Sequence, residues 1–221
     1  MNMDQSVTVQ RNRWMVVREA MIHRGLGVIA TFRVTVILAI LSLLASLVPF
    51  YTQWFELSFQ QTLSGQWWRV LTGHLTHFGT QHLFWDLLMF VVLAGLCELE
   101  SRRRFIPLLT MIALVVSFSV MFLCRDVVSY RGLSGIDTGL FVWFVGDQYR
   151  LSRKAGDRRF ARMWLGLGTL LLGKLCFEMI TGELLFVHVD GFKPLVESHV
   201  AGGLAGLVAA FLSSRGKSVD T

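Results

Sequence analysis

Residues 131–146 read RGLSGIDTGLFVWFVG, and residues 198–212 read SHVAGGLAGLVAAFL. Each stretch opens with polar residues, including Ser134 in the first and His199 in the second, and then becomes mostly apolar. Runs of this kind predict helices that cross a lipid bilayer. If both helices start on the same side of the membrane, Ser134 and His199 lie at one depth and can meet there.

The composition of the whole chain indicates a membrane protein rather than a soluble globular one. Of its 221 residues, 53% are hydrophobic and 16% are charged, and the mean hydropathy is +0.55. Six apolar stretches lie between charged residues, at positions 34–51, 82–97, 105–124, 133–146, 163–180 and 198–212. We therefore predict an all-α, polytopic membrane protein with a six-transmembrane-helix domain over residues 34–213, a basic segment before it (1–33) and a short tail after it (214–221).

The positions of the basic residues predict the orientation of the helices. Lys and Arg are enriched in cytoplasmic loops, and here they cluster before the first stretch, after the second, after the fourth and near the end of the chain. The clustered residues are Arg11, Arg13, Arg18, Arg24, Arg33, Arg102, Arg103, Arg104, Arg150, Arg153, Lys154, Arg158, Arg159, Arg162, Arg215 and Lys217. The loops on the opposite side hold Arg69, Arg125, Arg131 and Lys193. We therefore place both termini in the cytoplasm, and the net charge of +6 indicates contact with the lipid bilayer rather than with nucleic acid.

The fourth and sixth stretches are shorter than the roughly 20 residues that a lipid-facing helix needs, so we expect protein to surround them. The even-numbered helices also run from the outside inwards, which puts their first residues on the extracytoplasmic side. These helices begin near His82, Asp86, Ser134 and His199. We therefore expect four polar side chains to converge at one level near the outer face of the membrane.

Small residues follow His199 in the sixth stretch. Gly202, Gly206 and Ala210 recur at every fourth position, and such a stripe lets a neighbouring helix approach almost to backbone contact. We expect this stripe to pack against the helix that begins at Ser134, which would draw His199 towards the serine.

Ser134 and His199 are suited to nucleophilic catalysis without a cofactor. The glycines near Ser134 permit a tight start to its helix, whose free N–H groups can hold a developing oxyanion. His199 is the natural general base, because a neutral imidazole is the titrating group that is least costly to bury at this depth. A pair of serine and histidine suffices for such a mechanism, with no third carboxylate required.

The segment 51–81 is polar, rich in aromatic residues and too long for a simple connection. Its aromatic side chains suit the headgroup region of a membrane. They include Trp54, Phe55, Phe59, Trp67 and Trp68. We predict that this segment is partly helical and lies at the membrane interface.

Together, these motifs resemble the rhomboid family of intramembrane serine proteases. The matching residues, in chain order, are Trp68-Arg69, His77, His82, Asp86, Gly132-Leu133-Ser134-Gly135 and His199 with its glycine stripe. The resemblance implies that Ser134 is the nucleophile, that His199 is the general base, and that His82 helps to stabilise the oxyanion. It also implies cleavage in or near the transmembrane segment of a membrane-anchored protein substrate, with no cofactor and no metal.

Further details resemble one branch of that family, the rhombosortases. The chain is compact, and it reads Thr72-Gly73-His74 in the first loop and Arg131-Gly132-Leu133-Ser134-Gly135 at the serine. Rhombosortases process C-terminal Gly-Gly sorting tails of secreted bacterial proteins. The resemblance therefore implies a protein of the bacterial inner membrane whose active site opens to the extracytoplasmic side.

Two positions depart from the family pattern. Asp86 stands where the family usually has asparagine, and an ionised carboxylate there would repel an oxyanion. Asp86 is then either protonated in its low-dielectric site or paired with a protonated His82 one turn away, which leaves its role in the oxyanion region open. Thr138 stands where many members have an aromatic residue, and it follows Asp137, which either orients His199 or is a hydrogen-bonded packing residue.

The polar residues around the second stretch are also compatible with a metal site, because imidazoles and a carboxylate spaced four residues apart can share a divalent ion. These residues are His74, His77, His82 and Asp86. No His-Glu-x-x-His signature accompanies them, and a metal would leave the serine motif unexplained. We therefore favour the interpretation in which His74 and His77 are loop histidines near the interface.

Lys174 and Glu178 lie one turn apart in the fifth stretch. Charged residues within a membrane helix usually pair with each other or mark a pathway. A mutual salt bridge is the simpler interpretation. The alternative, which the family resemblance suggests for this helix, is a role in gating the access of substrates.

Two other functions compete with proteolysis. A non-catalytic rhomboid-like protein would bind membrane helices, but it would not need both Ser134 and His199. A transporter would instead use the charged residues inside the helices. These are Asp86, Asp137, Lys174 and Glu178.

Overall fold

The computed structural model describes residues 31–124, 126–183 and 195–215 of the chain. The predicted basic segment 1–33, Arg125, Lys193 and the predicted tail 214–221 lie wholly or mostly outside these ranges. The helices are α1 (Arg33–Leu47), α2 (Pro49–Phe55), α3 (Phe59–Leu63), α4 (Arg69–Thr72), α5 (Thr80–Leu123), α6 (Ser134–Lys154), α7 (Arg158–Thr181) and α8 (Val196–Arg215), with a 3-10 turn at Gly73–Leu75. Two short antiparallel strands, β1 (Leu57–Ser58) and β2 (Ser129–Tyr130), pair Leu57 with Tyr130.

The long helix α5 contains two of the predicted spans. Its 44 residues would extend about 66 Å, roughly twice the thickness of a bilayer core. The backbone leaves the helical conformation at Ser101, where φ is −164° and ψ is 95°. Residues 80–100 and 102–123 are therefore separate segments. The chain turns back at this point, so both segments reach the level at which α6 begins. In the first segment, Asp86 contacts Ser134. In the second segment, Val116 lies beside Gly135.

Five of the six predicted stretches lie on one helix or on one segment of α5, whereas the first stretch, 34–51, continues from α1 across a bend into α2. The all-α polytopic membrane fold is confirmed. Among the described residues, α5, α7 and α8 are long and apolar enough to cross a membrane. The helix α1 joins them if it is counted together with α2, to which it is bent by 109°. The helix α6 does not meet that criterion, and it lies in the centre of the protein, packed against α5, α7 and α8.

The helices α6 and α8 are longer than their apolar stretches. They contain 21 and 20 residues, because each continues through polar residues whose backbone still forms helical hydrogen bonds.

Protein encloses α6 as expected, but one face of α8 is exposed. Leu204, Leu207 and Phe211 on that face are each more than half exposed. The expectation that protein surrounds the sixth helix is therefore wrong for this face, whose apolar side chains suit lipid.

The segment 51–81 is partly helical, as predicted. Hydrogen bonds hold this segment next to the start of α6. The buried guanidinium of Arg69 donates to the carbonyl oxygens of Gln53 and Glu56 at 2.9 and 2.7 Å. Arg131 donates to the Glu56 carboxylate at 2.8 and 2.5 Å and lies over the ring of Phe78. These contacts, with the β1–β2 pair that the sequence did not predict, hold the loop next to the residues that precede α6.

Candidate active site

The helices α6 and α8 touch through their glycines. A Cβ on Gly202 would lie 1.9 Å from the carbonyl oxygen of Gly135, and a Cβ on Gly206 would lie 2.1 Å from that of Gly139. Nonbonded carbon and oxygen atoms do not approach so closely, so any larger residue would push the two helices apart. The predicted packing of the small-residue stripe against the serine helix is confirmed.

Ser134 and His199 lie in the first turns of these two helices. Their chain neighbours touch, because a Cβ on Gly135 would be 2.9 Å from the carbonyl oxygen of Ser198. Ser134 is half-buried, and its hydroxyl forms no hydrogen bond with any residue that the structure describes. The two side chains therefore share the N-terminal end of the α6–α8 contact without a direct hydrogen bond between them.

Gly132 lets the chain turn into α6. Its φ is +124°, a conformation that side chains of L-residues rarely adopt. A Cβ at this position would lie 2.9 Å from His82 Nε2 and 3.0 Å from Asp86 Oδ2. Glycine is therefore required here for the backbone conformation and also for space.

Asp86 is bonded to the N–H groups at the start of α6. Its Oδ2 accepts hydrogen bonds from the backbone N of Leu133 at 2.9 Å and of Ser134 at 3.1 Å. The same oxygen lies 3.1 Å from His82 Nε2 and 3.2 Å from His77 Nε2. Backbone N–H groups can only donate, and an anion at a helix N-terminus is stabilised, so these contacts favour an Oδ2 without a proton. The N–H groups expected to hold an oxyanion are thus occupied by Asp86.

His77, His82 and Asp86 form a compact buried cluster. One potential ligand atom of each lies within 4.8 Å of the others, as a metal site would require. However, the backbone N of Phe78 donates to His82 Nδ1 at 3.5 Å, so the neutral imidazole carries its hydrogen on Nε2, where the metal would bind. Asp86 Oδ2 also already accepts two N–H groups. We therefore interpret the cluster as hydrogen-bonded rather than metal-binding.

His74 lies apart from this cluster and has a structural role. Its Nε2 lies 3.0 Å from the carbonyl oxygen of Ala113 and 2.9 Å from Ser117 Oγ. Burial lowers the pKa of His74 to about 4, and burial also lowers the pKa of His77, although Asp86 opposes that second shift. Both residues lie in the loop between α4 and α5, as predicted, but they are only 1% and 4% exposed, because the loop folds inwards against α5.

Glu178 is the residue that the sequence analysis did not connect with the site. The helix α7 is mostly exposed, and Ala161 and Glu178 are its buried residues. Glu178 Oε2 lies 3.0 Å from His199 Nδ1, and Oε1 lies 2.7 Å from Lys174 Nζ. The predicted Lys174–Glu178 salt bridge is confirmed. One sequence signal pointed towards the contact with His199: a carboxylate inside an apolar helix needs a polar or charged group beside it.

Asp137, unlike Glu178, does not hydrogen-bond the imidazole of His199. Both oxygens of its buried carboxyl group lack a hydrogen-bond partner among the described residues. Neither sequence-based interpretation of Asp137 is therefore correct, since within the described ranges it hydrogen-bonds neither His199 nor any other residue. Thr138, the next residue, donates to the carbonyl oxygen of Ser134 at 2.8 Å.

Comparison with known protein families adds an independent finding. The family model described as Rhomboid domain matches residues 64–216, which is more than half of the chain. The matched range begins in the first loop and extends through α8. It includes Asp86, Ser134, Glu178 and His199.

Proposed function

This chain belongs to the rhomboid family of intramembrane proteases, and we propose that it is a serine endopeptidase with Ser134 as nucleophile and His199 as general base. It cleaves a peptide bond in or near the transmembrane segment of a membrane-anchored protein. The observation that carries this proposal is the contact of α6 with α8 through their glycines. That contact places Gly135 against Ser198, the chain neighbours of the two reacting residues.

The proposed reaction uses groups at the outer end of these helices. Ser134 Oγ attacks the scissile carbonyl carbon while His199 Nε2 takes the hydroxyl proton. The N–H groups at the start of α6 and the imidazole of His82 stabilise the oxyanion. His199 then gives its proton to the leaving amine, and afterwards deprotonates the water that releases the acyl group from Ser134. No cofactor takes part.

Asp86 must change its charge or position during this reaction. Its Oδ2 is bonded to the N–H groups of Leu133 and Ser134, where the oxyanion would form. Two negative charges about 4 Å apart repel by about 4 kcal/mol at an effective dielectric constant of about 20. Protonation of Asp86, or its displacement by substrate, removes this repulsion.

We expect Asp86→Asn to be at least as active as the wild type, with an advantage that grows as the pH rises. The amide oxygen can still accept the two backbone N–H groups, whereas the ionised wild-type carboxylate must take up a proton or move away before the oxyanion forms. Taking up that proton costs more free energy as the pH rises. His77 and His82 face this group in both proteins. Initial cleavage rates across pH check the prediction, with Asp126→Asn in an exposed loop as the matched control.

A rate for Asp86→Asn far below wild type at every pH would reject this role of Asp86. That result would support the other alternative, in which an ionised Asp86 holds His82 protonated. The expected loss would then be on the order of tenfold to a thousandfold, the usual scale for an oxyanion-stabilising group.

We further propose that the substrates are secreted proteins with C-terminal Gly-Gly sorting tails. The resemblance of residues 72–74 and 131–135 to the rhombosortases supports this class. To test it, tagged Ser134→Ala protein is used to capture uncleaved substrates, and mass spectrometry identifies them and the new C-termini that the wild type produces. Tail-bearing proteins are expected, and capture of polytopic proteins without such tails would contradict the substrate class.

The resemblance to the rhombosortases supports a location in the bacterial inner membrane, and the distribution of charge supports an orientation with both termini in the cytoplasm and the active site towards the outside. In a background without the native cysteines, Gln60→Cys should react with an impermeant maleimide in intact cells. Ala155→Cys should not react. Both positions are exposed, and Ala155 is preferable to its neighbour Gly156, whose φ is +74°. The opposite labelling pattern would place the active site on the cytoplasmic side.

A second function is favoured by one observation, the position of Asp86 on the N–H groups at the start of α6. A protein that binds membrane helices without cleaving them would tolerate an occupied oxyanion site. Such a protein would not need the serine hydroxyl to retain its partners. Binding that is unchanged by Ser134→Ala, without any cleavage by the wild type, would support this second function.

A further inference from the structure

The carboxylate of Glu178 lies where it can control the imidazole of His199. On α7, whose side chains are otherwise mostly exposed, Glu178 is 1% exposed. Its Oε2 is 3.0 Å from His199 Nδ1, and its Oε1 is 2.7 Å from Lys174 Nζ. The two oxygens of one carboxylate thus contact the proposed general base and a cation.

This contact selects one tautomer of the imidazole. A carboxylate can only accept a hydrogen bond, so Nδ1 of His199 carries the hydrogen and the lone pair of the neutral ring lies on Nε2. A general base needs that lone pair on the nitrogen facing the nucleophile. The opposite tautomer would present an N–H group to Ser134 and could not take its proton.

The same contact affects the charge that develops on His199. When His199 takes the proton from Ser134, the anionic carboxylate stabilises the resulting imidazolium. Lys174 has the opposite effect on the imidazolium, but it compensates the charge of a carboxylate that would be costly to bury alone. The Lys174 side chain is 26% exposed, so the chain of contacts leads from the buried imidazole towards the surface of α7.

We propose that Glu178 is a positioning residue that extends the Ser134–His199 pair to a triad, and that Lys174 partly compensates the negative charge of Glu178. This inference rests on the proposed function. It assigns to α7 a part in the chemistry, beyond the pair of serine and histidine expected from the sequence.

Other ionisable groups lie on the elements packed around His199. They include Glu197 on its own helix, Asp137, Asp147 and Arg150 on α6, and His82 and Asp86 on α5. Among the described residues, Glu178 is the one that hydrogen-bonds the imidazole. Its removal should therefore affect the protonation of His199 more than removal of any of these groups.

The test compares Glu178→Gln with Lys174→Met in pH–rate profiles of substrate cleavage. Glu178→Gln should lower kcat by on the order of a hundredfold or more. The acid-side fall in rate should move to lower pH, because the imidazole loses the anion that favours its protonated form. Lys174→Met should move the same fall to higher pH, because an opposing cation is gone. A purely structural pair would lower the amount of folded protein in both variants without opposite shifts.

The controls separate this inference from the proposed function. Glu183→Gln makes the same chemical change at an exposed carboxylate after the end of α7 and should leave rate and profile unchanged. If Ser134→Ala is inactive but Glu178→Gln keeps its kcat within about threefold and an unmoved profile, the role of Glu178 is wrong and the proposed function stands. If Ser134→Ala remains active, the proposed function itself fails.

A second measurement uses wild-type protein and does not depend on how the variants fold. Nitrogen-15 NMR of labelled histidine reports which ring nitrogen is protonated. For the neutral form of His199 we expect hydrogen on Nδ1 and a lone pair on Nε2. A neutral ring protonated on Nε2 would overturn the inference.

Discussion

Ser134→Ala and His199→Ala are each expected to lower substrate turnover by on the order of 10⁴-fold or more, and the double variant is expected to be little worse than either. Attack by the hydroxyl and removal of its proton are one event, so the loss of either group abolishes both. The effects should therefore not add. Turnover of a purified membrane-anchored substrate in liposomes, with the same substrate concentration for all four proteins, measures this cycle.

The matched control for the serine is Ser64→Ala, which removes an exposed hydroxyl bonded to the carbonyl oxygen of Gln60. This variant should keep wild-type turnover. Ser134→Ala should keep the helical content of the wild type, because the Ser134 hydroxyl makes no hydrogen bond among the described residues. Turnover by Ser134→Ala at more than a few per cent of wild type would exclude Ser134 as the nucleophile.

Gly202→Ala is also expected to cause a large loss, in activity and in stability together. The added Cβ would lie 1.9 Å from the Gly135 carbonyl oxygen, and ordinary contacts begin at 3.4 Å, so the helices must separate by about 1.5 Å. A displacement of about 1 Å in an active site can cost on the order of 100-fold in rate. Overpacking also costs about 1 to 3 kcal/mol of stability. We therefore expect lower turnover together with a lower Tm.

Gly203→Ala is the control, because it makes the same change one residue away. Its Cβ would lie 3.6 Å from Thr138 Cγ2, an ordinary contact, and alanine favours a helix over glycine by about 1 kcal/mol. This variant should keep its activity and its Tm. Equal losses in the two variants would show that the α6–α8 contact does not set the position of His199.

The features that could be predicted from the sequence are those with a strong local signal. The apolar stretches predicted the helices because apolar length is what a bilayer requires. The stripe of Gly202 and Gly206 predicted the close contact of α8 because only small residues allow it. The exact ends of the helices could not be predicted in the same way, since α6 continues beyond Gly146 without needing an apolar surface.

The contacts of Glu178 and Asp86 could not be predicted, because they depend on how helices rotate about their axes. Spacing predicts that Lys174 reaches Glu178 one turn away, but it carries no information about which face of α7 meets α8. Likewise, the spacing of His82 and Asp86 suggests a pair. It does not reveal that the Asp86 carboxylate reaches the N–H groups of Leu133 and Ser134, on another helix.

Labelling with a fluorophosphonate tests the proposed nucleophile most directly. The probe forms a bond from Ser134 Oγ to phosphorus and releases fluoride, and the reaction requires a base that takes the hydroxyl proton. With wild-type protein in detergent or liposomes, we expect mass spectrometry to find the adduct on the peptide that contains Ser134, and we expect His199→Ala to lose nearly all labelling. An unlabelled wild type that still binds membrane helices, or an adduct on another serine, would contradict the assignment of this site as a serine protease.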